Sequence, residues 1–130
     1  MILVDTSIWI AVFRKKAAFR IEDAVEFDEI ATCLPVIQEV LQGFREERAY
    51  QIARDAMTAL PIVESPLEES LFIEAAELYR AARRLGLTIR SSVDCLVAAC
   101  ALRNNLPVLH MDRDFEVLSR VSTLTTRPVK

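Results

Sequence analysis

Three aliphatic residues at the start of the chain are followed at once by a carboxylate. Ile2, Leu3 and Val4 form an uninterrupted apolar run, which predicts a short buried strand. Asp5 comes where that strand ends, and burying a carboxylate costs free energy unless the charge is paired or bound. Because ligands of open α/β sheets bind at the carboxyl ends of the strands, Asp5 is predicted to lie at a binding site.

Three other acids stand out in the same way. Residues 107–109 predict another buried strand, and Asp112 follows it. Glu39 interrupts an apolar helical segment, and Asp94 lies on the first turn of an apolar helix. Carboxylate oxygens are the ligands that Mg²⁺ and Mn²⁺ prefer. The four acids together therefore predict one acidic pocket that holds a divalent metal ion.

Each of these acids taken alone also has a structural explanation. Asp94 would interact favourably with the positive end of the helix dipole. Glu39 could be the exposed position of an amphipathic helix. Asp5 could be an N-cap, and Asp112 could be a turn residue.

Length and composition indicate a single domain over residues 1–130, long enough to bury a core. A net charge of −3 argues against a protein that holds nucleic acid by bulk charge, but it does not exclude a nucleic-acid enzyme. Cys33, Cys95 and Cys100 lie among apolar neighbours and are interpreted as core residues. The apolar N-terminus lacks the features of a signal peptide, so we expect a cytoplasmic protein.

Predicted strands and helices alternate, which is typical of a parallel sheet with helices on both faces. Ser65, Pro66 and Glu68 fit a capping box that would start a helix at Ser65, and Gly86 would end that helix. The other predicted elements are a helix capped by Thr6 or Ser7, a helix around 20–29, a short helix starting near Pro35, a helix over 45–58, a strand at 61–63, a helix from Ser91 or Ser92 to about Asn104, a short helix after Asp112 and a strand at 123–125.

Several segments resemble the PIN-domain ribonucleases, and most of all the VapC-type toxins of toxin–antitoxin pairs. These segments are the opening residues 1–7, the helix bearing Glu39, residues 92–99 around Asp94, and residues 109–115 with their D-x-D-F sequence. The resemblance implies an α/β fold with a parallel sheet of about five strands. It also implies an endoribonuclease that depends on Mg²⁺ or Mn²⁺, with Asp5, Glu39, Asp94 and Asp112 as catalytic acids and with Asp5, Asp94 and Asp112 holding the metal.

The resemblance also implies partners. The substrate would be RNA, cleaved by a metal-activated water to leave 5′-phosphate and 3′-hydroxyl ends. A small VapB-like antitoxin would cover the acidic pocket, and the chain would form a homodimer.

One position departs from the family pattern. His110 stands where family members usually carry Thr, two residues before the last acid, so either a supporting hydroxyl is lost or the imidazole replaces it. His110 could bind substrate, protonate a leaving group, or simply be a satisfied residue at a strand end. Asp114 is an alternative to Asp112 as the last acid. A PIN-fold module that binds RNA or protein without cutting is the alternative function.

A receiver domain of a signalling pathway also fits the length and the strand-end acids. It requires a Lys at a late strand end, and none of Lys15, Lys16 and Lys130 is so placed.

Aromatic and basic residues offer further candidates for RNA contact. Trp9 and Phe13 could stack on bases, although packing in the core or against a partner explains them equally. The basic residues could position phosphates without reading sequence, or could be ordinary solvated charges. They are Arg14, Lys15, Lys16, Arg83, Arg84, Arg90 and Arg113.

Overall fold

The computed structural model describes residues 1–14 and 19–129. Its five short strands form one sheet in the order β3-β2-β1-β4-β5, and every pairing between neighbours is parallel. The predicted fold class is therefore confirmed. The strands are β1 (Ile2–Val4), β2 (Ile30–Cys33), β3 (Ile62–Val63), β4 (Val108–His110) and β5 (Thr126–Pro128).

Helices cover both faces of the sheet centre. Successive side chains of a strand point to opposite faces, and all residues of β1, β2 and β4 are buried. The α-helices are α1 (Thr6–Phe13), α2 (Leu34–Leu41), α3 (Glu47–Thr58), α4 (Glu69–Arg84), α5 (Ser92–Arg103) and α6 (Arg113–Arg120). Two short 3₁₀ helices, Ile21–Asp23 and Phe27–Glu29, precede β2.

The order of the strands reverses between β1 and β4. The chain runs outward from β1 through β2 to β3, and then returns to place β4 on the other side of β1. Backbone bonds fix this contact, since the Leu3 amide donates to the Pro107 carbonyl and the Asp5 amide donates to the Leu109 carbonyl, both at 2.9 Å. Ligands of doubly wound sheets bind at such a reversal, outside the carboxyl ends of the strands.

The predicted helix over 20–29 is wrong, and a strand at 30–33 was not predicted. The segment before residue 30 is rich in acids and has no continuous apolar face, so it makes only two 3₁₀ turns. The strand was missed because residues 30–37 are apolar apart from Thr32, and a short apolar run does not distinguish a strand from a helix. Pro35 lies in the first turn of α2, as predicted.

The predicted helix start at Ser65 is also wrong, because α4 begins at Glu69 and its N-cap, Glu68, makes no side-chain cap bond. Tertiary contacts hold the preceding turn instead. Glu64 adopts a left-handed conformation with φ +54° and accepts hydrogen bonds from Arg103 and Asn104 at 3.4 and 3.2 Å. Leu67 packs against the core from the loop.

The remaining predictions had different outcomes. Gly86, at φ +74°, follows the last turn of α4, and its amide donates to the Arg83 carbonyl, which confirms the predicted helix end. The last strand lies at 126–128 instead of 123–125. All three cysteines are free and buried, as predicted. In the described part of the chain, each helix is too short or too polar to cross a membrane.

Candidate metal centre

Asp5 follows β1 directly and is the N-cap of α1, which is one interpretation that the sequence offers for this acid; the alternative caps, Thr6 and Ser7, lie inside the helix. Its side chain is only 2% exposed. Asp5 Oδ2 accepts hydrogen bonds from the Ser7 amide at 3.0 Å and the Ser7 hydroxyl at 2.7 Å. Asp5 Oδ1 is buried and accepts none from the described residues. Burial raises the pKa of Asp5 to about 6, although the bonds from Ser7 oppose that rise.

Glu39 lies on α2 beside Asp5 and is half-buried. The Thr6 hydroxyl donates a 2.8 Å hydrogen bond to Glu39 Oε1, which joins the first turn of α1 to α2. The negative charge of Glu39 contributes to the raised pKa of Asp5, as expected for two carboxylates at one site. Glu39 is therefore part of the acidic region and does not lie on a fully solvated helix face.

Asp94 lies on the first turn of α5 and is 4% exposed. Its Oδ2 atom is buried and has no hydrogen-bond partner among the described residues. Burial, a side-chain hydrogen bond with Asp114 and the charges of Asp5 and Asp112 together raise the pKa of Asp94 to about 10. The raised pKa favours the protonated form of Asp94, whose carboxyl lies close to that of Asp114.

Asp112 and Asp114 lie at the start of α6. Asp112 is half-buried and caps the helix, since its Oδ1 accepts from the Asp114 amide at 2.9 Å. Asp114 is fully buried, and its carboxylate accepts 3.0 Å hydrogen bonds from the backbone amides of Arg90 and Ser91. Burial alone would raise the pKa of Asp114, but the bonds from Asp94 and these two amides outweigh burial and lower it.

These carboxylates suit a hard divalent cation. One ligand oxygen from each of Asp94, Asp112 and Asp114 lies within 4.8 Å of the others. Two buried oxygens nearby, Asp5 Oδ1 and Asp94 Oδ2, lack any partner in the described part of the molecule. An all-oxygen donor set of this kind fits Mg²⁺ or Mn²⁺, and a cation would offset the repulsion among the acids.

The structure brings the four predicted acids to one end of the sheet, together with Asp114. It gives the two aspartates of the D-x-D sequence different surroundings. Asp112 keeps one carboxylate oxygen without a hydrogen bond from the described residues, whereas Asp114 is surrounded by backbone donors. The choice of Asp112 as the metal ligand stays a prediction. The amides of Arg90 and Ser91 were not anticipated, because no sequence pattern marks a backbone donor from a distant loop.

Ser7 connects two parts of the site. Its hydroxyl donates to Asp5 Oδ2 and accepts a 3.0 Å hydrogen bond from the Met111 amide, just after β4. This contact links the first turn of α1 to the turn that carries Asp112. The two hydrogen bonds from Ser7 also hold the Asp5 carboxylate in one orientation.

The aromatic candidates have separate environments. Trp9 is 6% exposed and packs in the core, so it does not present a stacking surface to RNA. Phe13 packs edge-on against Phe44, with ring centroids 5.5 Å apart, and both line an apolar groove of about 350 Å³ beside Glu39. Arg14 also lines this groove. Lys15 and Lys16 lie outside the described residues.

The sheet is parallel, and a group of carboxylates lies where the order of its strands reverses. These two features define an α/β protein with an acidic site at the carboxyl end of its sheet. The chain belongs to the PIN-domain family, which residues 2–121 match. It is 35% identical over 130 residues to VapC ribonuclease Mb1587 of Mycobacterium bovis and to ribonuclease VapC11 of Mycobacterium tuberculosis, a similarity that spans 95% of this chain and 96% of each relative.

Solved structures agree on the fold. VapBC2 from Rickettsia felis, bound to a DNA fragment from its promoter, superposes with a TM-score of 0.78 over 100% of both chains at 19% identity. VapC20 of Mycobacterium tuberculosis, a toxin that cleaves the sarcin–ricin loop, gives a TM-score of 0.68 over 89% of this chain and 93% of its own at 21% identity. At these identities the similarity supports the architecture alone.

Proposed function

We propose that the protein is a metal-dependent endoribonuclease and the toxin of a VapBC-type toxin–antitoxin pair. The observation that carries the proposal is the acidic end of the sheet, where Asp94, Asp112 and Asp114 place ligand oxygens within 4.8 Å of one another. One buried oxygen of Asp5 and one of Asp94 have no hydrogen-bond partner among the described residues. Glu39 is joined to the same end of the sheet through its hydrogen bond from Thr6. The 35% identity to proteins named VapC ribonucleases supports RNA as the substrate.

The proposed metal ligands are Asp5, Asp94 and Asp112, and the ion would be Mg²⁺ or Mn²⁺. When bound, such an ion would lower the pKa of a water molecule and neutralise charge on the phosphodiester. Ser7 would orient Asp5 through Oδ2 and leave Oδ1 available to the ion. Because its raised pKa favours the protonated form, Asp94 would have to lose a proton before both of its oxygens could bind an ion.

Glu39 would complete the catalytic site from the α2 side, and the Thr6 hydroxyl would hold its carboxylate in place. Basic side chains near the acids would position the RNA itself. Arg113 lies between Asp112 and Asp114 in sequence, and its side chain is exposed. Arginines of this kind bind phosphates without reading the base sequence.

The proposed partners are a small VapB-like antitoxin and a second copy of this chain. Structures with the same fold are named as VapBC toxin–antitoxin complexes, which supports the first expectation. RNA cleavage would take place in the cytoplasm. Size-exclusion chromatography with light scattering tests the dimer, and a monomer at high concentration would contradict it.

A cleavage assay on total cellular RNA tests the activity, with Mg²⁺, with Mn²⁺ and with EDTA. We expect cutting with either ion and none in EDTA. Asp94→Asn should abolish the cutting, because the amide cannot supply the second carboxylate oxygen. Asp55→Asn, the same change at an exposed position on α3, is the matched control and should cut like the original protein. Full metal-dependent cleavage by Asp5→Asn or Asp94→Asn would refute the site.

A further inference from the structure

His110 ends β4 and is the last residue before the turn that carries Asp112. Its side chain is 1% exposed, and its ring packs against Phe115 with centroids 5.3 Å apart. Its backbone carbonyl accepts a 2.8 Å hydrogen bond from the Val129 amide. The imidazole is therefore enclosed, so direct contact with an RNA substrate and protonation of a leaving group, two roles considered from the sequence, do not fit its position.

The ring has one specific polar contact. The Asp112 amide donates a 3.2 Å hydrogen bond to His110 Nδ1. A ring nitrogen that accepts an amide hydrogen carries no proton, so the neutral ring must carry its proton on Nε2. His110 Nε2 is buried and has no partner among the described residues.

The contact belongs to a turn in which side chains accept hydrogen bonds from three backbone amides. The Met111 amide donates to the Ser7 hydroxyl, the Asp112 amide donates to His110 Nδ1, and the Asp114 amide donates to Asp112 Oδ1. These three bonds fix the backbone at Asp112 and the direction of its side chain. Its carboxylate then faces Asp94 and Asp114, with ligand atoms within 4.8 Å of one another.

We infer that His110 is a positioning residue for the acid site, acting through its Nδ1 acceptor on the backbone of Asp112. The inference rests on the proposed metal centre, because a correctly placed Asp112 matters most to an ion that binds it. Groups that orient metal ligands in this way typically alter metal affinity by about 10–100-fold when removed.

The unaltered protein gives the first test. His110 is the only histidine in the chain, so a long-range ¹H–¹⁵N spectrum of its ring is free of overlap. We expect the ring proton on Nε2 and none on Nδ1, because Nδ1 accepts from the Asp112 amide. A proton on Nδ1 would exclude the acceptor role and overturn the inference.

Two variants then separate positioning from packing. In His110→Asn the side-chain oxygen can occupy the position of Nδ1, whereas in His110→Gln the oxygen reaches the position of Nε2. By Mg²⁺ titration calorimetry we expect the Asn variant to bind near the wild-type level and the Gln variant to bind about 10–100-fold more weakly. Equal losses in both variants, or a loss in neither, would contradict the inference.

Amide exchange separates this inference from the proposed function. We expect the Asp112 amide to be protected in EDTA in the wild-type protein and in His110→Asn, and to exchange faster in His110→Gln. If the wild-type protein binds no Mg²⁺, the proposed function fails, and protection of this amide still decides the role of His110. If the Gln variant does not fold, the wild-type tautomer and the Mg²⁺ affinity of the Asn variant decide it.

Discussion

Replacing a proposed metal ligand, Asp5, should stabilise the metal-free protein. In the folded chain the pKa of Asp5 is raised from 3.8 to about 6, mainly by burial. The folded state therefore favours the protonated side chain. The corresponding stability is fully present below about pH 4 and is lost as the pH rises through 6. Each pKa unit corresponds to about 1.4 kcal/mol, so the loss approaches about 3 kcal/mol by pH 8.

Asp5→Asn should avoid this loss without disturbing the helix cap. Both hydrogen bonds from Ser7 go to the same oxygen, Oδ2, which the Asn carbonyl oxygen can replace. The amide nitrogen would take the place of Oδ1, which has no hydrogen-bond partner among the described residues. Asn is also a good N-cap residue. In EDTA at pH 8 the variant should be more stable by up to about 3 kcal/mol, and at pH 4 the two proteins should be nearly equal.

Urea denaturation in EDTA at a series of pH values measures this difference. Asp55→Asn, at an exposed site, should leave the pH dependence unchanged. Saturating Mg²⁺ should reverse the order at pH 8, because only the wild-type site keeps its charge to bind the ion. A variant that is less stable than wild type at pH 8 in EDTA, or that gains as much at pH 4, would refute the reasoning.

Three further changes test other contacts. Ser7→Ala removes the hydroxyl bonds to Asp5 and from Met111. It should lower the free energy of unfolding by about 1–3 kcal/mol in urea denaturation and weaken Mg²⁺ binding. Unchanged stability would contradict the structural role of these two bonds. Arg113→Gln should weaken RNA binding in fluorescence anisotropy and lower the salt dependence of that binding by about one phosphate contact. Arg48→Gln on α3, the matched control, should leave both unchanged. Gly86→Ala should lower the stability by about 1 kcal/mol in thermal unfolding. The cost comes from the backbone, because φ is +74° and no atom obstructs a Cβ there. An unchanged Tm would argue against the left-handed conformation.

Elements with a strong local signal were predicted from the sequence. The apolar run before Asp5 gave β1, and the apolar spacing of residues 92–103 gave α5. The strand at 30–33 was missed because it continues into an apolar helix without a break in pattern. The capping box at Ser65 failed because contacts from Arg103 and Asn104 to Glu64 determine the turn. The single domain over 1–130 stays a prediction.

The candidate site, too, could be predicted from the sequence only in part. The acids Asp5, Glu39, Asp94 and Asp112 could be recognised because each carboxylate interrupts apolar surroundings or ends a strand. The sequence left the relation between Asp112 and Asp114 open. Their hydrogen bonds differ because one caps its own helix and the other accepts from the loop at residues 90–91.

The sequence by itself determined the local pieces: short apolar strands, amphipathic helices and acids at strand ends. It did so because burial and periodicity are properties of neighbouring residues. Only the tertiary structure decided which carboxyl has a raised pKa, which buried oxygens lack a partner among the described residues, and which ring nitrogen accepts from the Asp112 amide. Those properties depend on desolvation, charge and donors from β1, α5 and the β4–α6 turn, which meet only when the sheet places β4 beside β1.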